Sequence, residues 1–148
     1  MPVVNGCPLP DELLYDVDNQ LWYRELEDGL VEVGITAVAA AMAGQVLAVT
    51  PKRAGRRLEG QQACAVIESG KVVGSARVAL AGRVERSNEP LMERPSLINK
   101  DPYGAGWLVV MRPDDWLGAK ARLIRGADVE PAYRAKMEAE DFPGCAAQ

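Results

Sequence analysis

The spacing of turn signals constrains this chain more than any other feature. Between Leu21 and Met111 the apolar runs are short and are repeatedly broken by glycine, proline and asparagine. Leu21 to Leu26 reads as a strand and Asp28-Gly29 as a hairpin turn of the Asp-Gly type. The alternating Val31-Glu32-Val33-Gly34-Ile35 makes the returning strand. Thr36 can N-cap a short helix from Ala37 to Ala43, with Gly44 as its stop. Val46, Leu47 and Val49 form the next strand, and Pro51 to Gly60 a loop. Ala63 to Glu68 is a strand, Ser69-Gly70-Lys71 a tight connection, and Val72 opens another strand. Gly82 punctuates before Val84, Asn88-Glu89-Pro90 ends that run, and Ser96 to Asn99 can make a helical turn. Lys100 to Gly106 is a loop ahead of a strand from Trp107 to Met111. Short strands separated in this way predict a mainly β fold, a sandwich or a barrel.

Helices are expected at both ends. Leu13, Leu14 and Val17 fall at helical spacing within Pro10 to Val17, with Asp11 near the helix start. Asp114 can cap a short helix after Pro113. Asp128 to Glu140 reads as an amphipathic helix that Asp128 caps and that tolerates Pro131 in its first turn. The last residues are expected to be loose. The 148 residues fit a single domain, residues 1–148. It divides into an N-terminal extension (1–20), a core (21–111) and a C-terminal helical extension (112–148).

Composition excludes more than it assigns. The net charge of −4 and the pI of about 4.9 disfavour nucleic acid. The basic cluster Lys52-Arg53 and Arg56-Arg57 reads as a solvated turn. The longest apolar stretch, Ile35 to Gly44, is far short of the roughly 20 residues a membrane span needs. The first residues lack the pattern of a signal peptide, so a cytoplasmic location is expected. The chain has no histidine, which removes Ser-His-Asp and Cys-His nucleophilic sites and histidine-ligated metals. Its three cysteines, Cys7, Cys64 and Cys145, show no CxxC spacing and do not read as a disulfide scaffold. No set of catalytic residues and no metal-ligand set emerges, which favours a carrier or binding module over an enzyme.

The segment Ala65-Val66-Ile67-Glu68-Ser69-Gly70-Lys71-Val72-Val73-Gly74 is the most informative. It reads as strand, turn, strand, with Gly70 giving backbone freedom and Lys71 carried at the tip. A lysine placed there is either a solvated turn residue or a target that a modifying enzyme can reach. Glu68, three residues earlier, is either a recognition element for that enzyme or a polar residue at a strand end.

The chain resembles the H-protein family, the lipoyl carriers of the glycine cleavage system and their relatives. The resemblance runs from about Leu21 to Met111. It rests on Trp22-Tyr23-Arg24, on Val31-Glu32-Val33-Gly34-Ile35-Thr36, and on Ala37 to Gly44. Gly55, Gly60, Gly82, Asn88, Pro95, Asn99 and Pro102-Tyr103-Gly104-x-Gly106-Trp107 extend it. Ile67-Glu68-Ser69-Gly70-Lys71 sits where the family carries its lipoylated E-S-V-K. The resemblance implies a lipoyl-domain-like barrel-sandwich hybrid of two small antiparallel sheets, with lipoate joined to Lys71. Glu68, Ser69 and Gly70 then form the attachment motif. A biotin carrier would place the lysine in M-K-M; Gly70 and Val72 stand there instead.

Two departures point to a side branch. Gly70 and Val72-Val73-Gly74 differ from the glycine-branch V-K-A-A-S, and Asn5-Gly6-Cys7-Pro8-x-Pro10 precedes the core, with Cys145 late in the chain. These resemble the lipoate-binding proteins of the sulfur-oxidising, heterodisulfide-reductase-like system. That implies an arm carrying sulfur intermediates, with a lipoate-protein ligase or lipoyl-assembly enzymes and a heterodisulfide-reductase-like complex as partners. The alternatives are an H protein serving the glycine cleavage enzymes with an aminomethyl group, and an unmodified adaptor. Cys64 reads as a small buried hydrophobe on the strand face opposite Ala63, Ala65 and Ile67. Cys7 and Cys145 read as two unrelated free thiols, or else as a redox pair or sulfur relay beside the arm.

Overall fold

A computed structural model describes residues 3–145. In chain order the elements are β1 (Val3–Val4), β2 (Cys7–Pro8), β3 (Leu14–Asp16), β4 (Leu21–Glu25), β5 (Val31–Ile35), α1 (Ala37–Ala43), β6 (Val46–Pro51) and β7 (Arg57–Leu58). There follow β8 (Ala63–Ser69), β9 (Val73–Arg77), β10 (Gly82–Ser87), α2 (Pro90–Glu93), α3 (Leu97–Lys100), β11 (Val109–Pro113), α4 (Trp116–Lys120) and α5 (Val129–Ala139). A six-stranded sheet has the order β3-β4-β5-β11-β10-β7 and a three-stranded sheet the order β6-β8-β9. A short β1-β2 ribbon completes the set, and the pairings are antiparallel. The expected mainly β architecture is observed.

The two larger sheets share one core. Tyr23, Val33, Val84 and Met111 from the six-stranded sheet meet Val49, Ala65, Ile67 and Ala76 from the three-stranded one. The strand periodicity brings these side chains to the inner faces, and burying each contributes roughly 1.5–3 kcal/mol. The Tyr23 hydroxyl stays satisfied at this depth by accepting the Ala79 N–H at 3.0 Å. The β4–β5 hairpin turns through Asp28 (φ 60°) and Gly29 (φ 75°), the left-handed geometry that an Asp-Gly pair supports.

Gly34 lies in β5 directly under Trp22 of the paired strand β4. A Cβ on Gly34 would overlap the indole ring. Trp22 is completely buried, and its Nε1 donates to the Pro102 carbonyl at 3.0 Å. The Arg24 guanidinium stands 4.9 Å from the indole centroid and donates to the Tyr103 carbonyl at 2.9 Å. The Tyr103 hydroxyl accepts from the Ala37 N–H at 2.9 Å and donates to the Pro8 carbonyl at 2.6 Å. The run Pro102-Tyr103-Gly104 therefore anchors both the start of α1 and the β1-β2 ribbon. Trp107 is half-buried on a second cluster, formed with Tyr15, Val38, Tyr133 and Met137.

Several expectations need correction. Pro10 to Val17 is not a helix: β3 pairs with β4, and Tyr15 exchanges backbone hydrogen bonds with Ile124 at 2.9 and 3.0 Å. The Tyr15 hydroxyl donates to the Pro10 carbonyl at 2.7 Å, and its ring meets Tyr133 of α5 edge-on, so Leu13, Leu14 and Tyr15 are all buried. The loop Pro51 to Gly60 contains β7. The strand before Asn88-Glu89-Pro90 does end there, at Ser87, but Pro90–Glu93 then adds a helical turn with proline in its first positions. Asp115, not Asp114, caps α4 by accepting the Gly118 N–H at 3.0 Å; Asp114 pairs with Arg57. Asp128 precedes α5 without a side-chain cap. The expectation of a loose end lies, for residues 146–148, outside the described residues.

The cysteines differ most from expectation. Cys7 and Cys145 are joined in a disulfide across 138 positions. On a chain-entropy account a loop of that length contributes up to about 5 kcal/mol. Cys64 is buried as expected, but Ala65 is buried beside it, because the β8–β9 register shifts between Ala63 and Ala65. Gly34→Ala forces the indole to move, so it should cost roughly 1–3 kcal/mol and lower Tm by several degrees in thermal unfolding. An unchanged Tm would show that the Trp22 contact does not organise the sheet.

Candidate functional site

The β8–β9 hairpin is built by its register. Glu68 faces Val73 and Ile67 faces Gly74, so residues 69–72 close the turn. The Ser69 N–H donates to the Val72 carbonyl at 2.9 Å. Ser69 Oγ accepts from the N–H groups of both Lys71 and Val72 at 3.2 Å. One serine hydroxyl thus satisfies backbone donors that the turn would leave unpaired. Gly70, Lys71 and Glu68 are exposed. The structure brings the four expected residues together, with Lys71 at the tip.

Gly70 has a different role from the one read in the sequence. Its φ is not in the left-handed region, and a Cβ there would meet nothing within 4 Å. A side chain such as valine would fit. Gly70 therefore leaves bare backbone beside Lys71 and is not needed for the turn itself.

Lys71 forms no ion pair among the described residues; its aliphatic stem passes over Gly44, where a Cβ would stand 3.3 Å from Lys71 Cδ. Gly44 ends α1 with φ 79°. Asn99 braces this corner: its Oδ1 accepts the Val46 N–H at 2.9 Å and its Nδ2 donates to the Gly44 carbonyl at 2.8 Å. At the other end of α1, Thr36 is fully buried and accepts the Ala39 N–H at 3.1 Å. Thr36 is the N-cap that the sequence signalled, whereas Asn99 and Tyr103 were legible only as matches to a pattern; the hydrogen bonds of all three explain them as supports of the floor beneath Lys71.

The tip also carries exposed apolar side chains. Val72 and Val73 are 49% and 71% exposed, and Leu47 of the neighbouring β6 is 59% exposed. Cys64 is sealed in the core, and burial pushes its thiol up to about 12, which leaves it a thiol at neutral pH and unreactive.

The family model described as Glycine cleavage H-protein matches residues 13–136. The chain belongs to the glycine cleavage H-protein family. The Glycine cleavage system H protein 5 of Aquifex aeolicus (strain VF5) is 42% identical over 128 residues, covering 84% of this chain and 86% of that one. H protein 2 of the same organism is 35% identical over 136 residues, covering 92% and 84%. A glycine cleavage system H protein from Mycobacterium marinum, seen in a crystal structure, has a TM-score of 0.73 at 25% identity, covering 90% of this chain and all of its own. These names support the glycine-cleavage alternative ahead of the sulfur-oxidation reading.

Within this H-protein fold, Ser69→Ala removes the acceptor for two amides of the lysine turn. A loss of roughly 1 kcal/mol corresponds to about 5-fold faster hydrogen exchange at the Lys71 and Val72 amides, with Tm nearly unchanged. Unaltered exchange in NMR would assign the turn to the Ser69–Val72 backbone bond alone.

Proposed function

We propose that this H-protein-family chain is a lipoyl carrier with lipoate joined as an amide to Lys71 Nζ, and is not itself an enzyme. The observation that carries this is the exposed Lys71 at the hairpin tip, free of ion pairs among the described residues. The site suits the group: the nucleophilic amine is accessible, amide formation abolishes no ion pair, and the Gly44 corner lets the stem lie flat. Ser69 holds the turn, Gly70 leaves backbone open to the attaching enzyme, and Glu68 offers it a carboxylate three residues upstream. Bound lipoate supplies a dithiolane whose reduced thiols hold a group in transit. The protein's contribution is to keep that group at millimolar effective concentration before partner sites.

The names of the relatives favour service to glycine cleavage enzymes, with an aminomethyl group as the cargo that the family resemblance implies. A lipoate-protein ligase or lipoyl-assembly enzymes act before them. A sulfur-carrying role beside a heterodisulfide-reductase-like complex is the second reading, favoured by Gly70, by Val72-Val73-Gly74 and by the Cys7–Cys145 pair. A docking enzyme reads the residues beside the lysine, and a lost contact there is enough to exclude one. We place the protein in the cytoplasm; among the described residues no helix is long and apolar enough to cross a membrane.

Incubation with lipoate ligase and peptide mapping should find lipoate on Lys71 alone, and Lys71→Arg should fold normally and accept none. Lipoate on another lysine, or a wild type that accepts none, would sink the assignment. The lipoylated protein should then restore glycine decarboxylation to a glycine-cleavage system lacking its own carrier. Failure there, with sulfane sulfur retained on the reduced arm, would move the assignment to sulfur transfer.

A further inference from the structure

The surface of α1 connects the carrier lysine to the disulfide. Lys71 Cδ lies against Gly44 at the end of α1. At its start, Cys145 Sγ stands 3.7 Å from the Ala37 carbonyl oxygen. Two hollows lie between these points. One is lined by Ala40, Ala41, Gly44, Asn99 and Lys100. The other shares Ala40, Ala41, Asn99 and Lys100 and continues to Ala37 and Cys145. They form one groove along a helix whose side chains there are methyl groups, with α3 as its far wall. Gly44 to Ala37 is seven residues, or about 10 Å of helix rise. An extended lipoyl chain spans nine bonds from Lys71 Cδ to the nearer of its two sulfurs, about 11 Å at ordinary bond lengths and angles. The groove and the arm have the same length.

We propose that the reduced arm lies in this groove and reduces the Cys7–Cys145 disulfide of its own chain, making that pair a second redox centre. This rests on the assignment of lipoate to Lys71. Cys145 is the sulfur that lines the groove and is part-exposed, whereas Cys7 is fully buried. Cys145 Sγ therefore receives the attack of one arm thiolate, and the bond to Cys7 Sγ breaks. Cys7 leaves with the electron pair and takes up a proton. The second arm thiolate then attacks the arm sulfur held by Cys145; the dithiolane ring closes and Cys145 leaves as a thiolate that is protonated. Two electrons and two protons pass from the arm to the cysteines, and nothing external is consumed. The carrier becomes a store for two electron pairs, one on the arm and one in the disulfide.

The test uses the full chain, lipoylated at Lys71 as verified by intact mass, with lipoamide dehydrogenase and NADH as the reductant of the arm. Wild type should consume two NADH per chain, and Cys7 and Cys145 should become alkylatable in peptide maps. The lipoylated Cys7→Ser and Cys145→Ser variants should consume one, and the unlipoylated chain none. The rate of cysteine release should not depend on protein concentration. Ala41→Phe, confirmed as lipoylated by mass, should fill the groove and slow release at least tenfold. One NADH per lipoylated wild-type chain with both cysteines still protected would overturn the proposal. So would a rate proportional to protein concentration, or an Ala41→Phe rate equal to wild type. A chain that never gains the lipoyl mass fails at the first step, and that mass distinguishes failure of the Lys71 assignment from failure of the exchange.

Discussion

The indole of Trp22 lies where Gly34 has no side chain, and most of the site's geometry depends on that contact. It lets β4 and β5 pair without splaying while a large aromatic ring is buried between the sheet and the 102–104 loop. The loop is then held by the indole N–H, by Arg24 and by ring contact with Tyr103. Tyr103 holds the first turn of α1, and Asn99 on α3 holds the residue that ends it. The position of Gly44 under Lys71 is the last step in this sequence of contacts. Lys71 thus has an exposed side chain on a fixed base, and the core supplies the base from some distance away.

Much of this was legible as pattern. The β4–β5 hairpin follows from Asp28-Gly29 between alternating runs, and α1 from Thr36 and Gly44, because each signal reports a local backbone preference that the core does not oppose. The lysine hairpin was legible for the same reason. Pro10 to Val17 was misread because the helical spacing of Leu13, Leu14 and Val17 spans only a short segment, while its conformation is decided by strand pairing with Leu21–Tyr23 and by Ile124, far along the chain. Gly70 was misread in the opposite sense: a glycine in a turn suggested a steric need, whereas the φ and the empty surroundings show none.

The disulfide illustrates a different limit. Its two residues lie 138 positions apart, and no local rule reports their approach. They meet because Tyr103 pins Pro8 beside α1, and because α5 packs Val129, Tyr133 and Met137 onto the same cluster. The Cys145 N–H then donates to the Asn5 carbonyl at 2.9 Å, beside the β1-β2 turn. Arguments from cysteine spacing are arguments about averages, and packing overrides them here.

The tip of the β8–β9 hairpin contributes almost nothing to the core that supports it. Gly70 has open space where a side chain would go, and Val72 and Val73 are largely exposed. Substitutions at these positions are therefore nearly free of folding consequences, whereas those at Trp22, Gly34 or Tyr103 are not. A duplicated copy of such a gene could exchange its clientele by drift at a few surface positions while inheriting an intact scaffold. The bacterium that carries numbered H proteins 2, 3 and 5 holds several copies on which such divergence could act.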